Sequence, residues 1–302
     1  MIVRQHFTVY KAEGKKMKLI DILTAIAVAS IWGMGFIVAK SGMSHFSPIL
    51  LMALRFTLTA ICLVWFFRPP LKLFKDLFWI SLVSAAIQYS LTFTGVKGLD
   101  ASTAALLVQL EVPFGLLLAC IFLGERVFLK QAVGILVAFL GVALILKEPK
   151  LSGSLVSALM VVGGAFTWAV GQIMIKKMTN VGGFMLISGI AIFATPQLFL
   201  ASYLFELNQI AQIQSADLSA WGAVIYLALI MTALGYGMWY RLLGLYSINQ
   251  VMPFLLLLPV VSVIGGILFL DEVLTTKVII GGMLALFGVA LITIQYSTKE
   301  PN

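Results

Sequence analysis

Long apolar runs recur along this chain at short intervals, each 18 to 23 residues long. A helix rises ~1.5 Å per residue, so runs of this length cross a ~30 Å hydrocarbon layer. A membrane barrel would show ~10-residue alternating segments instead. The pattern predicts ten helical spans, at 19–38, 48–67, 77–96, 101–123, 129–146, 154–175, 185–205, 220–242, 247–268 and 276–295. A polar tail, 1–18, precedes them, and a second, 296–302, follows.

The spans repeat. "LVAFLGVALI" at 136–145 matches "MLALFGVALI" at 283–292, and "FLGE" at 122–125 matches "FLDE" at 269–272, both at an offset of 147 that Gly134 and Gly281 also obey. Pro113 matches Pro259 with one residue of slippage. Trp32, Gly35 and Lys40 have the spacing of Trp168, Gly171 and Lys176. The chain therefore divides into a first five-helix repeat, 19–146, and a second, 154–295, joined by the polar linker "KEPKLSGS". Five is odd, so the second repeat begins on the opposite side of the membrane and lies inverted. The fold class expected is an all-α integral membrane protein of ten transmembrane helices in two inverted repeats, a construction used by secondary transporters.

Composition agrees. The 302 residues are 61% hydrophobic and 11% charged, against roughly 25% charged in soluble domains. The net charge of +8 invites a nucleic-acid reading, but its placement argues for topology. Of 20 Lys and Arg, Arg55 lies inside a span. Lys40, Lys97, Lys147, Lys150 and Lys277 flank spans on one side, and the other fourteen lie on the side of the termini. That asymmetry places both termini in the cytoplasm, for a multi-pass protein of the inner or plasma membrane. The basic start reads as an uncleaved anchor, because span one exceeds a signal peptide's apolar region. Met17 offers an alternative start. Cys62 and Cys120 fall inside spans and give no disulfide framework or metal spacing.

The same residues resemble the drug/metabolite transporter superfamily, specifically its EamA-like permeases. The resemblance rests on "WGMGFIVAK" in span one, "SPILLMALRFTLTA" in span two, "GLDASTAALLVQLEVPF…FLGER" in span four and "GILVAFLGVALI" in span five. "WAVGQIMIKK" and "P…FLDE…GVALI" repeat it more weakly. It implies a ten-helix bundle that moves metabolites such as amino acids, often outward. The departure of "FLDE" from "FLGE" means that the two corners need not behave alike.

No phosphate-binding loop G-x-x-x-x-G-K-[ST] is present, so nothing in the chain harvests ATP. No cluster of nucleophile, base and metal ligands suggests an enzyme, and no cofactor is expected. Trp65, Trp79, Trp221, Trp239 and Tyr240 read as interfacial belt residues. Trp32 and Trp168 lie deep in their spans, with Phe36 and Gln172 one turn on; each either packs between helices or faces a shared central cavity. Gln88, Tyr89 and Tyr236 are mid-span polar candidates. Arg55 requires an acid or an anionic ligand, and Glu111 is the acid placed deepest in a span. A pair between them is open at this stage. Pro113 and Pro259 are expected to kink their helices, and Pro113 to leave the carbonyl of Gln109 free beside Glu111. Asp100, Ser102 and Ser247 read as helix N-caps, Lys40 and Lys176 as cations closing their own spans, and Glu125 and Glu272 as corner residues.

These readings point to a secondary carrier of a small polar solute. The leading substrate is an amino acid or related zwitterion, its ammonium facing Glu111 and the tryptophans and its carboxylate facing Arg55, with protons as the coupling ion. An exporter of cationic drugs or quaternary amines would need the acid and the rings but not Arg55. A receptor or assembly subunit that carries nothing is the reading of another class.

Overall fold

The computed structural model describes residues 17–124, 127–148, 154–176, 178, 181–246 and 251–293. Residues 1–16 of the first expected tail, the second tail, most of the linker, Glu125, Ser247 and Lys177 lie outside that set.

All regular structure among the described residues is helical. Nine helices are long and apolar enough to span: one (Leu19–Gly42), three (Leu71–Lys97), four (Ala101–Phe122), five (Leu129–Leu146), six (Leu155–Lys176), seven (Gly183–Phe205), eight (Leu218–Trp239), nine (Pro253–Leu270) and ten (Thr276–Thr293). Span two, Pro48–Val64, is a shorter apolar helix of 17 residues. A short helix, Gln209–Gln214, joins spans seven and eight. Spans one and ten put the two ends of the bundle on one face, called here the terminal face; the other is the opposite face. The chain is an all-α, multi-pass membrane protein built of two inverted five-helix repeats.

The inversion is visible in the packing. Gly134 of span five lies against the backbone of Gly288 in span ten, and Gly141 against that of Gly281. These pairings run in opposite directions along the two helices, so repeat-equivalent spans cross antiparallel. A methyl group at Gly141 has no room against Ala285 and Gly281, because the two backbones touch. Small residues permit such approach where burial of apolar area gives helices no reason to associate. The starts of the repeats make a second reciprocal contact. Gly35 packs against Met231 of span eight, and its counterpart Gly171 packs against Ser84 of span three.

Four spans depart from α-helix in their interiors, and they too are repeat-related. Spans three and eight widen into π-type turns at Leu82–Ile87 and Tyr226–Leu234. Spans four and nine tighten just before residues Glu111 and Leu257. Pro113 and Pro259 each follow the tightened turn by two or three residues. The expected free carbonyl of Gln109 is not free. Proline removes its i+4 donor, and the turn closes to i+3 so that the Val112 N–H donates to it at 3.2 Å.

Both 4–5 and 9–10 corners turn through left-handed backbone, at Gly124 (φ 68°) and Asp271 (φ 52°). Departure of sequence therefore leaves the conformation alike, since Asp tolerates this region at modest cost.

The crossing predicts unequal effects of two Gly→Ala changes. Gly115 has open space where its Cβ would stand, and alanine there gains up to about 1 kcal/mol of helix propensity. Gly141→Ala should destabilise by roughly 1–3 kcal/mol through overpacking. Thermal unfolding of the two variants in detergent checks this, and equal midpoints would refute the glycine crossing.

Candidate functional site

Five candidate residues lie at similar depth. Arg55 is seven residues past Pro48, Tyr89 eight before Lys97, Gln88 nine before it, Trp32 ten before Gly42 and Glu111 ten past Ala101. At ~1.5 Å per residue these positions fall about 10–15 Å below the opposite face.

Arg55 is buried. Its Nε donates to Thr232 Oγ1 at 3.0 Å, and Nη1 approaches Met52 Sδ at 3.8 Å. Its guanidinium carbon stands 4.9 Å from the Tyr89 ring centre and 5.5 Å from that of Phe56. Tyr89 stacks on Phe93 with centroids 5.6 Å apart, and Phe93 on Phe36 at 6.3 Å. Spans one, two and three thus contribute an aromatic column that ends on a cation.

Glu111 is half-buried at the first position of the segment Glu111–Leu123, where the dipole of that segment favours a carboxylate. Its side chain makes no hydrogen bond and no ion pair among the described residues. The pair with Arg55 left open by the sequence is not formed: Arg55 is engaged by Thr232 and Tyr89.

The wide turn of span eight is held by the first repeat. Trp32 Nε1 donates to Met231 O at 3.0 Å and Tyr226 OH to Ile31 O at 3.0 Å, while Thr59 Oγ1, which donates to Arg55 O at 2.9 Å, lies 3.4 Å from Ala228 O. Trp32 packs on Tyr236 (5.0 Å) and on Trp239 (5.7 Å). Trp168 sits elsewhere, against Leu118, Ala119 and Ile173. The two tryptophans therefore occupy separate apolar clusters, and the indole of Trp32 has its partner in backbone. Gln172 is four residues from the terminal end of span six, far from the layer of Arg55. Trp239 is buried beneath Trp32 and is not a belt residue; Trp65 is exposed at the end of span two, and Trp79 is exposed but lies eight residues inside span three, which begins earlier than the sequence predicts.

Gln88 is buried and donates to Thr92 Oγ1 at 3.1 Å, leaving Oε1 without a protein partner among the described residues. Gln109 Nε2, beside Glu111, is likewise unpartnered.

The opposite face is tied across the repeats. Glu206, at the end of span seven, accepts from Ile49 N (2.8 Å), Leu50 N (2.9 Å) and Ser47 Oγ (2.8 Å), capping span two. Glu272 accepts from Ala101 N, Ser102 N and Ser102 Oγ, capping span four. Asp100 stands at the N-cap position, but its side chain makes no capping bond there. Thr275 Oγ1 donates to Glu148 at 2.7 Å. Lys40 Nζ donates to the carbonyls of Val96, Lys97 and Leu99, closing span three rather than its own helix alone. Among these residues a polar cavity of about 500 Å³ opens, lined by Lys40, Lys97, Asp100, Glu148, Asp271 and Glu272. It does not include Arg55 or Glu111. On the terminal face, Arg241 and Tyr246 OH meet the buried Asp21 at 3.1 and 2.7 Å.

Thr232, Glu206, Asp21 and the side chain of Gln109 were not singled out by the sequence. Thr232 had one usable signal, a hydroxyl in the only stretch of span eight free of larger polar groups; Glu206 and Asp21 had none beyond their places at span ends.

Comparison with known proteins supplies the last step. The chain is 32% identical over 278 residues to a protein of Escherichia coli (strain K12) named as a probable amino-acid metabolite efflux pump, covering 89% of this chain and 93% of that protein. It is 27% identical over 291 residues to a probable terminal-alkyne amino-acid exporter of Streptantibioticus cattleyicolor, covering 91% and 94%. A solved crystal structure matches with TM-score 0.63 at 18% identity, over 92% of this chain and 97% of that one, which shows the fold alone. The profile of the EamA-like transporter family matches residues 19–147 and 155–294. With both repeats matched in full and a 32% identical relative along nearly its whole length, this chain belongs to the EamA-like transporter family.

Proposed function

We propose that this transporter exports a small zwitterion of the amino-acid class, and that Glu111 alternates between a proton and the ammonium group of the substrate. The observation that carries the proposal is Glu111 itself, a mid-span carboxylate with no hydrogen bond or ion pair among the described residues. A charge at a helix centre costs at least ~2.5 kcal/mol on insertion scales. Protonation removes that cost when the site is empty, and a substrate cation offsets it when the site is filled. The names of the two relatives above support the amino-acid class and the outward direction.

Gln88, Tyr89 and Trp32 share the depth of Glu111 and line the path that the substrate crosses. The 3₁₀ turn ahead of Pro113 gives span four a place to change its winding as Glu111 changes its charge. The repeats 19–146 and 154–295 rock against each other, with tails 1–18 and 296–302 on the cytoplasmic side of the inner or plasma membrane.

Purified protein in liposomes, screened with the radiolabelled amino acids and with quaternary amines, tests the substrate class. An amine carried in preference to every amino acid would reject it. Glu111→Gln keeps the side chain's shape while fixing it neutral. It should fold normally and retain counterflow, while accumulation against a pH gradient falls to background. Accumulation with wild-type rate and pH dependence would remove Glu111 from the mechanism.

Accessibility tags after residues 43, 150 and 213 should report the exterior, and tags at 72 and 180 the cytoplasm. An exterior report from residue 72 would invert the proposed topology.

A further inference from the structure

Arg55 is 1% exposed, and a guanidinium does not give up its charge. Its setting lacks what a buried cation ordinarily has. No acidic group among the described residues pairs with it; one of its five N–H donors meets an oxygen, that of Thr232. The Tyr89 ring covers it at 4.9 Å and Phe56 lies at 5.5 Å. Cation–π contact of this kind lessens the charge without neutralising it. The remaining donors are those on the terminal nitrogens, and their fork is the part of arginine that grips a carboxylate by two parallel bonds.

The orientation of the group is built in. Thr232 Oγ1 donates its proton to Leu227 O at 2.8 Å, within the wide turn of span eight. Its lone pair is then the part that faces Arg55 Nε. The aromatic column Phe36–Phe93–Tyr89 backs the guanidinium. A charged group held this firmly, on spans two and eight together, whose terminal nitrogens meet the weak acceptor Met52 Sδ and no oxygen among the described residues, has the form of a receptor for an anion.

We propose that Arg55 is the binding residue for the carboxylate of the transported substrate, and that Thr232 is its positioning residue. The proposal rests on the reading of the chain as a zwitterion carrier and says which group takes the anionic end. Arg55 and Glu111 are opposite charges at comparable depth, on different spans, and they do not pair with each other. A zwitterion satisfies both at once; a cation or an anion alone satisfies one. Because Arg55 is tied to the wide turn through Thr232, filling the anion site acts on the same turn that Trp32 and Tyr226 hold from span one.

The experiment compares the amino acid giving the greatest counterflow in liposomes with its carboxamide, which keeps the ammonium and loses the anion. Charged hydrogen bonds of ~1.5–3 kcal/mol correspond to a preference of about 10- to 100-fold in half-saturating concentration. Wild-type protein should show that preference, and Arg55→Gln should abolish it by weakening the amino acid to the level of the amide. Thr232→Val should reduce the preference by weakening the amino acid more than the amide. Should Arg55→Gln not fold, Arg55→Lys carries the test, because it keeps the charge and loses the fork, and should retain only part of the preference. A small inorganic anion is the other source of the same chemistry. Replacing chloride by gluconate on both sides distinguishes it. Chloride-dependent transport in wild type with equal handling of acid and amide would reassign the site to chloride and overturn the proposal. So would an undiminished preference in Arg55→Gln. The outcome is separable from that of Glu111→Gln, which reads accumulation and not the choice between acid and amide.

Discussion

Hydrocarbon offers no hydrogen-bond partner, so every backbone group freed from the regular helix must find one inside the protein. In this bundle the freed groups lie where spans three and eight widen and where spans four and nine tighten. The tightened turn of span four satisfies itself by closing to i+3. The wide turn of span eight does not. Its Met231 carbonyl is met by Trp32 of the first repeat. The loose backbone that conformational change requires is thus tolerated because the other repeat supplies its partners. The helix ends on the opposite face follow the same rule, with Glu206 and Glu272 of the second repeat capping spans two and four of the first. The halves are joined by polar contacts that can be exchanged, over an antiparallel glycine crossing that cannot loosen without opening a void.

Most of this architecture was legible in the sequence. Membrane spans are set by length and hydropathy, which are local properties, so the ten apolar helices were readable and most boundaries fell within a few residues; span three begins at Leu71, six residues before its expected start, and span nine is found at Pro253–Leu270. Inversion followed from counting, because five spans per repeat force it. What was not legible depends on side chains meeting across the fold. Glu206 and Asp21 look like ordinary polar residues at the ends of apolar runs, and only the packing shows that each is a hydrogen-bonding hub, half-buried at Glu206 and buried at Asp21. Trp239 stands beside Arg241 as a belt residue would, but the end of span eight turns it inward onto Trp32. The wide turns leave no trace in hydropathy at all, since their sequences are as apolar as the helix around them.

The candidate site divides the same way. Depth is readable from position along a span, and Arg55, Gln88, Tyr89 and Glu111 were found by it. Pairing is not readable, because two residues at equal depth on different helices either touch or stand apart according to helix order. Here the sequence left an Arg55–Glu111 pair open, and the structure separates them. It assigns Arg55 to a threonine on span eight that carries no charge and so drew no attention.

That separation explains an asymmetry between the repeats. Scaffold features recur in both halves: the W-x-x-G contact, the widened third span, the proline after a tightened turn, the left-handed corner. The charges do not. The counterpart of Glu111 under the offset of the two prolines is Leu257, and the first repeat alone carries a mid-span acid and a mid-span base. A direct ion pair would have cancelled both and left a structural strut. Placing Arg55 against an aromatic face and Glu111 on the first turn of its own helical segment lessens the cost of each charge without cancelling either. Duplication can supply a hinged, inverted frame from one pattern. A zwitterion has two unlike ends, so under the proposal that the cargo is one, the groups that read it would have to break the symmetry of the repeated frame.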